Sequence, residues 1–357
     1  MQRETAAFLL TGFLLLDAPV ASSPQPPAEE TPQESFEDRI SVSELELVLR
    51  VVDTWGRPIL GLKPEDLRVR LGKSEAPVVS LDWISAEDSA TLDLPVGMDS
   101  LEDGEEDEVT MALPTPGRLV VLFVQTDLNP TRISGQMRMR SRTRKLLDSL
   151  HPQDRAAVVS FDSQLKLWWD FTLDRDAVHA ALDRAMLYNK APAIQPEGEV
   201  SLARRFDFEA ARETSTPERA LEVTARALDA LPGEKIMIFL GYGFGNYSRD
   251  GTRMRPAFIP AVKALWDAQI SVFALDVTSA DSHDLAAGLV QVADATGGLY
   301  LSTFRLPNLA TEVLSKAISG YYILALDMSR MPDADGEIQV ELKGHRGTVI
   351  ARPMVLQ

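Results

Sequence analysis

Between residues 118 and 319 the chain alternates short apolar runs with amphipathic stretches of helical length. "RLVVLFV" (118–124), "EKIMIFL" (234–240) and "ISVFALDV" (270–277) are almost continuously apolar. A strand with one solvated face alternates polar and apolar residues, whereas a strand apolar throughout is covered on both faces. The intervening stretches at 130–150, 174–186, 216–231, 256–268, about 281–295 and 307–318 read as helices, and Gly297-Gly298 breaks the chain before a short strand "LYLST" (299–303). "RAAVVSF" (155–161) and "LKLWWDF" (165–171) are separated only by a tight turn at Asp162-Ser163. Strand and helix in alternation predict a mostly parallel sheet with helices on both faces.

The flanks are different. "LELVLRVVD" (45–53), "LRVRL" (67–71) and "PVVSLDWIS" (77–85) are rich in alternating Val and Leu, with turns at Gly56–Pro58 and Gly72-Lys73. After Gly320, "YYILAL" (321–326), "EIQVEL" (337–342) and "TVIARP" (348–353) repeat that pattern. Three short strands are marginal alone. Pairing the two groups predicts one β-sandwich made from both ends, residues 41–85 and 320–357, with the α/β domain at 118–319 inserted into it.

Charge and residue usage narrow the function. The net charge of -17 argues against a nucleic-acid partner, because phosphate backbones require Lys and Arg. The chain has no cysteine, which removes disulfides, thiol catalysis and thiolate metal sites. His151, His179, His283 and His345 form no H-E-x-x-H or H-x-H pair, which argues against a zinc hydrolase. G-x-S-x-G is also absent. Residues 1–22 place an apolar core, Ala6–Leu16, between Arg3 and the small residues Ala21–Ser23, the pattern of a secretory signal peptide. An exported protein, periplasmic or secreted, follows as the expectation, and no run is long enough for a comfortable membrane span. Residues 23–40, rich in Pro, Glu and Ser, and residues 86–117, which hold "EDGEEDE" (102–108), read as linkers. The second also places Asp99, Asp103 and Gly104 at calcium-loop positions, but Leu101 and Thr110 break that pattern.

Several of these segments resemble exported bacterial proteins, of acidobacterial type, with a von Willebrand factor A-related domain. The resemblance lies in "GRPILGL" (56–62), "EDLRV" (65–69), "RLVVLFV" followed by "LN" at 128–129, "DRAAVVSFDSQLKLWWDFTLDRDAV" (154–178), "KIMIFL" (235–240), "ISVFALDV" (270–277) and "GYYILALD" (320–327). It implies a von Willebrand A-like, doubly wound α/β fold and a divalent-ion site at the C-terminal edge of the sheet. In the family that site takes D-x-S-x-S after the first strand, a Thr from a middle loop and the Asp of T-D-G after the fourth strand. Hard cations need such converging oxygen ligands. Here the first segment reads Gln125-Thr126-Asp127-Leu128-Asn129, so Gln125 stands where the family has Asp, with Asp127 and Asn129 at the two Ser positions. A one-residue slip would move Asp127, and Asn129-Pro130 also reads as a plain helix start. Thr214 or Thr216 would be the middle Thr, although Thr216 before Pro217 is accounted for as a helix cap. Tyr242 replaces the Asp of T-D-G. The resemblance therefore implies a degenerate site that holds no metal and no cofactor.

The stretch "LGYGFGNY" (240–247) raises a nucleotide reading as well. Its G-x-G-x-G spacing fails the dinucleotide fingerprint, and no Walker sequence is present. Tyr242, Phe244 and Tyr247 suit contact with a protein partner better than catalysis. Trp168 and Trp169, adjacent on a strand, are expected to point to opposite faces, one into the core and one available as an anchor. The helix at 130–150 concentrates Arg132, Arg138, Arg140, Arg142, Arg144 and Lys145; Arg138 and Arg142 are further candidates for a partner surface, and the run 102–108 for docking in cis. The sequence thus reads as a non-enzymatic interaction or scaffolding module. A metal-dependent adhesion module and a hydrolase or nucleotide-binding enzyme stand as alternatives.

Overall fold

The computed structural model describes residues 44–85, 117–127, 129–187, 190–248, 251–281, 283–330, 336–352 and 355–356. The segments expected to be a signal peptide, linkers and a calcium loop (1–22, 23–40 and 86–116) lie outside the described residues.

Strands β1 (Glu44–Val52), β2 (Leu67–Leu71), β3 (Ser74–Ala76) and β4 (Val78–Ser85) come first. The α/β part follows with β5 (Leu119–Gln125), α1 (Pro130–Asp148), β6 (Arg155–Phe161), β7 (Leu165–Thr172), α2 (Arg175–Met186), α3 (Phe208–Glu213) and α4 (Pro217–Asp229). It continues with β8 (Lys235–Gly241), a hairpin β9 (Asn246–Ser248) and β10 (Gly251–Arg253), α5 (Phe258–Asp267), β11 (Ile270–Asp276), α6 (Ala286–Thr296), β12 (Tyr300–Ser302) and α7 (Pro307–Ala317). The chain ends with β13 (Gly320–Asp327), β14 (Gly336–Leu342), β15 (Thr348–Ala351) and β16 (Val355–Leu356).

The central sheet has the order β12-β11-β8-β5-β6-β7, parallel except for the edge strand β7. The order reverses direction at β5 and β8, which makes their C-terminal ends the topological switch point of a doubly wound sheet. Its apolar strands divide by alternate residues. Val121 and Phe123 of β5 join Phe239, Leu221 and Leu265 in one core layer. Val120, Leu122 and Val124 join Met139, Leu147 and Leu314 in the other. Both faces are therefore covered, as the continuous apolar runs require.

The strands from the two chain ends build two further antiparallel sheets, β15-β1-β13-β4 and β16-β14-β2-β3. β13 lies between β1 and β4, and β14 pairs with β2. Leu47, Leu49, Val69, Leu71, Tyr322, Leu324 and Ile338 form a core between them. The architecture is the expected one: a doubly wound α/β domain set into an all-β sandwich. Arg118 ties the parts together. It donates to both carboxylate oxygens of Asp154, at 2.9 and 2.6 Å, and to the Ile318 carbonyl just before β13. Among the described residues no helix is long and apolar enough to cross a membrane.

Two expectations need correction. α6 begins at Ala286 rather than near 281, because Asp276 holds Thr278 and His283 in the connection after β11. The register of β6 and β7 slips between Val158 and Val159, which face Trp169 and Leu167. That bulge breaks the period of two. Trp168 and Trp169 consequently pack against the same core cluster instead of pointing to opposite faces.

Candidate functional site

The site lies at the C-terminal edge of the central sheet, where β5 and β8 end side by side. Gln125, the last residue of β5, is buried, and its carboxamide spans the switch point. Its Oε1 accepts from the Tyr242 and Gly243 backbone N–H groups at 2.9 and 3.1 Å. Its Nε2 donates to the Gly243 carbonyl at 2.9 Å. A carboxylate could accept but not donate, so the amide satisfies all three backbone groups where an Asp could satisfy only two. Gly241 permits this fit: a Cβ there would sit 2.5 Å from Gln125 Oε1 and collide with the Phe239 ring.

The next residues form a small charged cluster. Asp127 Oδ1 accepts from the Asn129 N–H at 2.7 Å, and Oδ2 pairs with the Arg132 guanidinium. The central carbon of that guanidinium lies over the Tyr242 ring, 3.8 Å from its centre. Asn129 caps α1, its Oδ1 accepting from the Thr131 N–H at 3.0 Å and the Thr131 hydroxyl at 2.7 Å. Asp127, Asn129 and Tyr242 thus do meet at one edge, but in contact with an arginine cation and a helix cap. Arg132 gave no warning in the sequence beyond its place in a basic helix.

The middle-loop threonines are engaged elsewhere. Thr216 caps α4 through the Arg219 N–H, and Thr214 is buried, accepting from the Leu165 N–H at 2.8 Å. The buried carboxylate in this region belongs instead to Glu218, which accepts from the Gly245 N–H at 3.1 Å and from Arg255 at 3.2 and 3.3 Å. It anchors the far end of the glycine-rich loop. Its position after Thr216-Pro217 marked it only as a first-turn acid.

A second cluster stands at the end of β11, in register with Gly241. The buried Asp276 carboxylate meets His283 Nε2 at 2.7 Å, the Tyr300 hydroxyl at 2.8 Å and the Thr278 N–H at 2.9 Å. Burial raises its pKa, but the contacts with His283, Thr278 and Tyr300 outweigh this and hold it below the ordinary value. Burial first, and then Asp276, push the Tyr300 hydroxyl well above its usual range. This cluster was missed in the sequence. The available signal was an Asp closing an apolar strand of a doubly wound sheet.

The proposed partner residues separate. Phe244 is buried against Phe239 and Phe258, so it belongs to the core and is withdrawn as a contact residue. Trp168 is withdrawn for the same reason: it is buried and donates from Nε1 to Ser160 Oγ at 2.7 Å. Trp169 is half-buried against the same core. The Tyr247 side chain lies outside what the structure describes, although its backbone pairs with Thr252. Tyr242, Arg138 and Arg142 remain partly accessible. Among the described residues no three His, Asp or Glu side chains gather as a metal-ligand set.

No family model matches the sequence, and no curated protein matches it. Solved structures with a similar arrangement include the conserved hypothetical protein BatB from Bacteroides thetaiotaomicron, 15% identical with a TM-score of 0.38 over 56% of this chain and 97% of that one. A von Willebrand factor type A protein from Catenulispora acidiphila is 13% identical with a TM-score of 0.40, over 67% of this chain and 65% of that one. Proximal thread matrix protein 1 from the mussel byssus, with a zinc-occupied MIDAS motif, is 17% identical with a TM-score of 0.36, over 59% and 48%.

Proposed function

We propose that this chain is an exported, non-enzymatic protein–protein interaction or scaffolding module whose ion site has become a metal-independent contact surface. One observation carries the reading: the Arg132 guanidinium lies between Asp127 and Tyr242, and the Gln125 amide closes the switch point behind it. A cation is already supplied there by the protein. A divalent ion entering beside Asp127 would have to displace Arg132 and would find the Gln125 oxygen committed to two N–H groups. The half-buried cation–π contact of Arg132 with Tyr242 offers a partly polar, partly aromatic surface of the kind that arginine and tyrosine provide at interface hot spots. Export rests on the signal-peptide pattern of residues 1–22.

Titration calorimetry of the full chain with Mg²⁺, Mn²⁺ and Ca²⁺ tests the metal-independent reading, and no saturable heat is expected. Micromolar binding that disappears in Asp127→Ala would replace it with a metal-dependent adhesion module. The partner is sought by affinity capture from the native cell envelope, with Tyr242→Ala as the control. Capture that is indifferent to Tyr242 would move the contact surface away from this edge.

A further inference from the structure

Helix α1 carries six basic side chains with different surroundings. Arg132 pairs with Asp127, and Arg140 makes a two-pronged bond to Asp183 at 2.6 Å on each oxygen. Arg138, Arg142, Arg144 and Lys145 have no ion-pair partner among the described residues. Arg138 Nη1 donates to the Ser279 hydroxyl at 3.2 Å, and Arg142 Nε to the Asn308 carboxamide at 2.9 Å, both neutral oxygens. Arg142 also donates to the Arg138 carbonyl. Burial, reinforced by neighbouring Arg142 and only partly offset by the Asp276 carboxylate, lowers the pKa of Arg138. Like charges four residues apart on a helix are mutually destabilising.

Arg138, Arg142 and Lys145 fall at i, i+4 and i+7, so they form one stripe about 10 Å long. The stripe faces α7, from which Asn308 reaches Arg142. The acid of α7 does not neutralise it, because Glu312 pairs with Lys316 on its own helix. Asp276 acts on Arg138 from beyond ion-pair distance, and no carboxylate among the described residues forms an ion pair with Arg138, Arg142 or Lys145, so in a chain with 53 acidic and 36 basic residues the stripe has room for a further anion.

The chain's own path supplies one. Ser85 at the end of β4 and Arg118 just before β5 line the same cavity of about 400 Å³ as Ser149, His151 and Ser315. Ser149 and Ser315, at the ends of α1 and α7, are hydrogen-bonded at 2.8 Å. Both ends of the stretch between β4 and β5 therefore converge where the furrow between these helices begins. Lys145 stands about 6 Å up α1 from Ser149. Residue 108 precedes Arg118 by about ten residues, an extended reach of up to about 33 Å. That is enough for "EDGEEDE", with six carboxylates in residues 102–108, to lie along the stripe.

We infer that Arg138, Arg142 and Lys145 form a docking face for an acidic polypeptide segment, occupied in cis by residues 102–108. This face is separate from the Arg132–Tyr242 surface and goes beyond the function proposed for it. Carbodiimide joins an ammonium to a carboxylate in direct contact, which makes Lys145 the reporter. An equal mixture of isotope-labelled and unlabelled full-length chains is cross-linked at low salt, and the linked peptides are identified by mass spectrometry. The expected result is a bond from Lys145 to a carboxylate of 102–108 within one chain, with a yield that falls several-fold in roughly 0.5 M NaCl through screening. Arg142→Gln, at a partly exposed position, should lower it as well. Absence of the link, a yield indifferent to salt, or links only between labelled and unlabelled chains would overturn the assignment, the last by making a second copy the occupant. Tyr242→Ala leaves this link unchanged, so the two readings fail separately.

Discussion

Gln125 has both an acceptor and a donor at its tip, and the backbone after β8 presents two N–H groups and a carbonyl to match. That an amide and not a carboxylate closes β5 was legible in the sequence, whereas the use made of the amide was not, because its partners lie more than a hundred residues away. Asp276 shows the opposite case, a carboxylate kept charged while buried. Asp276→Asn is expected to cost roughly 2 kcal/mol or more at neutral pH, the scale of hydrogen bonds to a buried charged group. Its pH dependence has a definite sign. The folded pKa lies below the ordinary 3.8, so the stabilisation is fully present above that value and is lost as pH falls through the folded pKa. Thermal melts of the two proteins should therefore differ fully near neutrality and begin to converge only as pH falls below about 3.8. A gap that stays constant to pH 2 would mean that the charge of Asp276 contributes nothing.

At the scale of elements, periodicity revealed what burial dictates and concealed what contact geometry dictates. The apolar runs of β5, β8 and β11 announced strands covered on both faces, and the alternating flanks announced strands with one. The bulge in β7 could not be read, because "LKLWWDF" fits an unbroken strand equally well and only pairing with β6 shifts Trp168. The short pieces β3, β9, β10 and α3 escaped for a related reason: their few residues carry no period. Gly135 in α1 is another residue whose meaning is spatial. Alanine has the better helix propensity by about 1 kcal/mol. However, a Cβ at Gly135 would fall on the Val277 backbone carbonyl, in the loop after β11. Backbone cannot swing aside as a flexible side chain can, and overpacking of this kind costs typically 1–3 kcal/mol. The clash should outweigh the propensity gain. Gly135→Ala is expected to melt at lower temperature than the parent, and an increase would show that α1 sits farther from the sheet than the structure places it.

For the whole molecule, the decisive fact is that the sandwich belongs to neither end of the chain. β13 lies between β1 and β4, and β14 supplies the long partner of β2. The inserted α/β domain has a core layer on each face of its own sheet. The two parts therefore depend on the C-terminal strands unequally. Removing residues 320–357 takes Tyr322, Leu324 and Leu326 from the sandwich core, and each buried side chain of this size is worth about 1.5–3 kcal/mol. The sum is comparable with the entire stability of a typical domain, so β1, β2 and β4 should not persist as a sheet. The central sheet loses little packing, chiefly Ile350 from one of its layers. Hydrogen exchange on the truncated chain should show unprotected amides in β1, β2 and β4 while those of β5, β8 and β11 remain slow. Protection retained in β1 and β4 would mean that the N-terminal strands find another partner. Loss of protection throughout would make the sandwich a condition for the α/β domain to fold, in place of a frame that the domain interrupts.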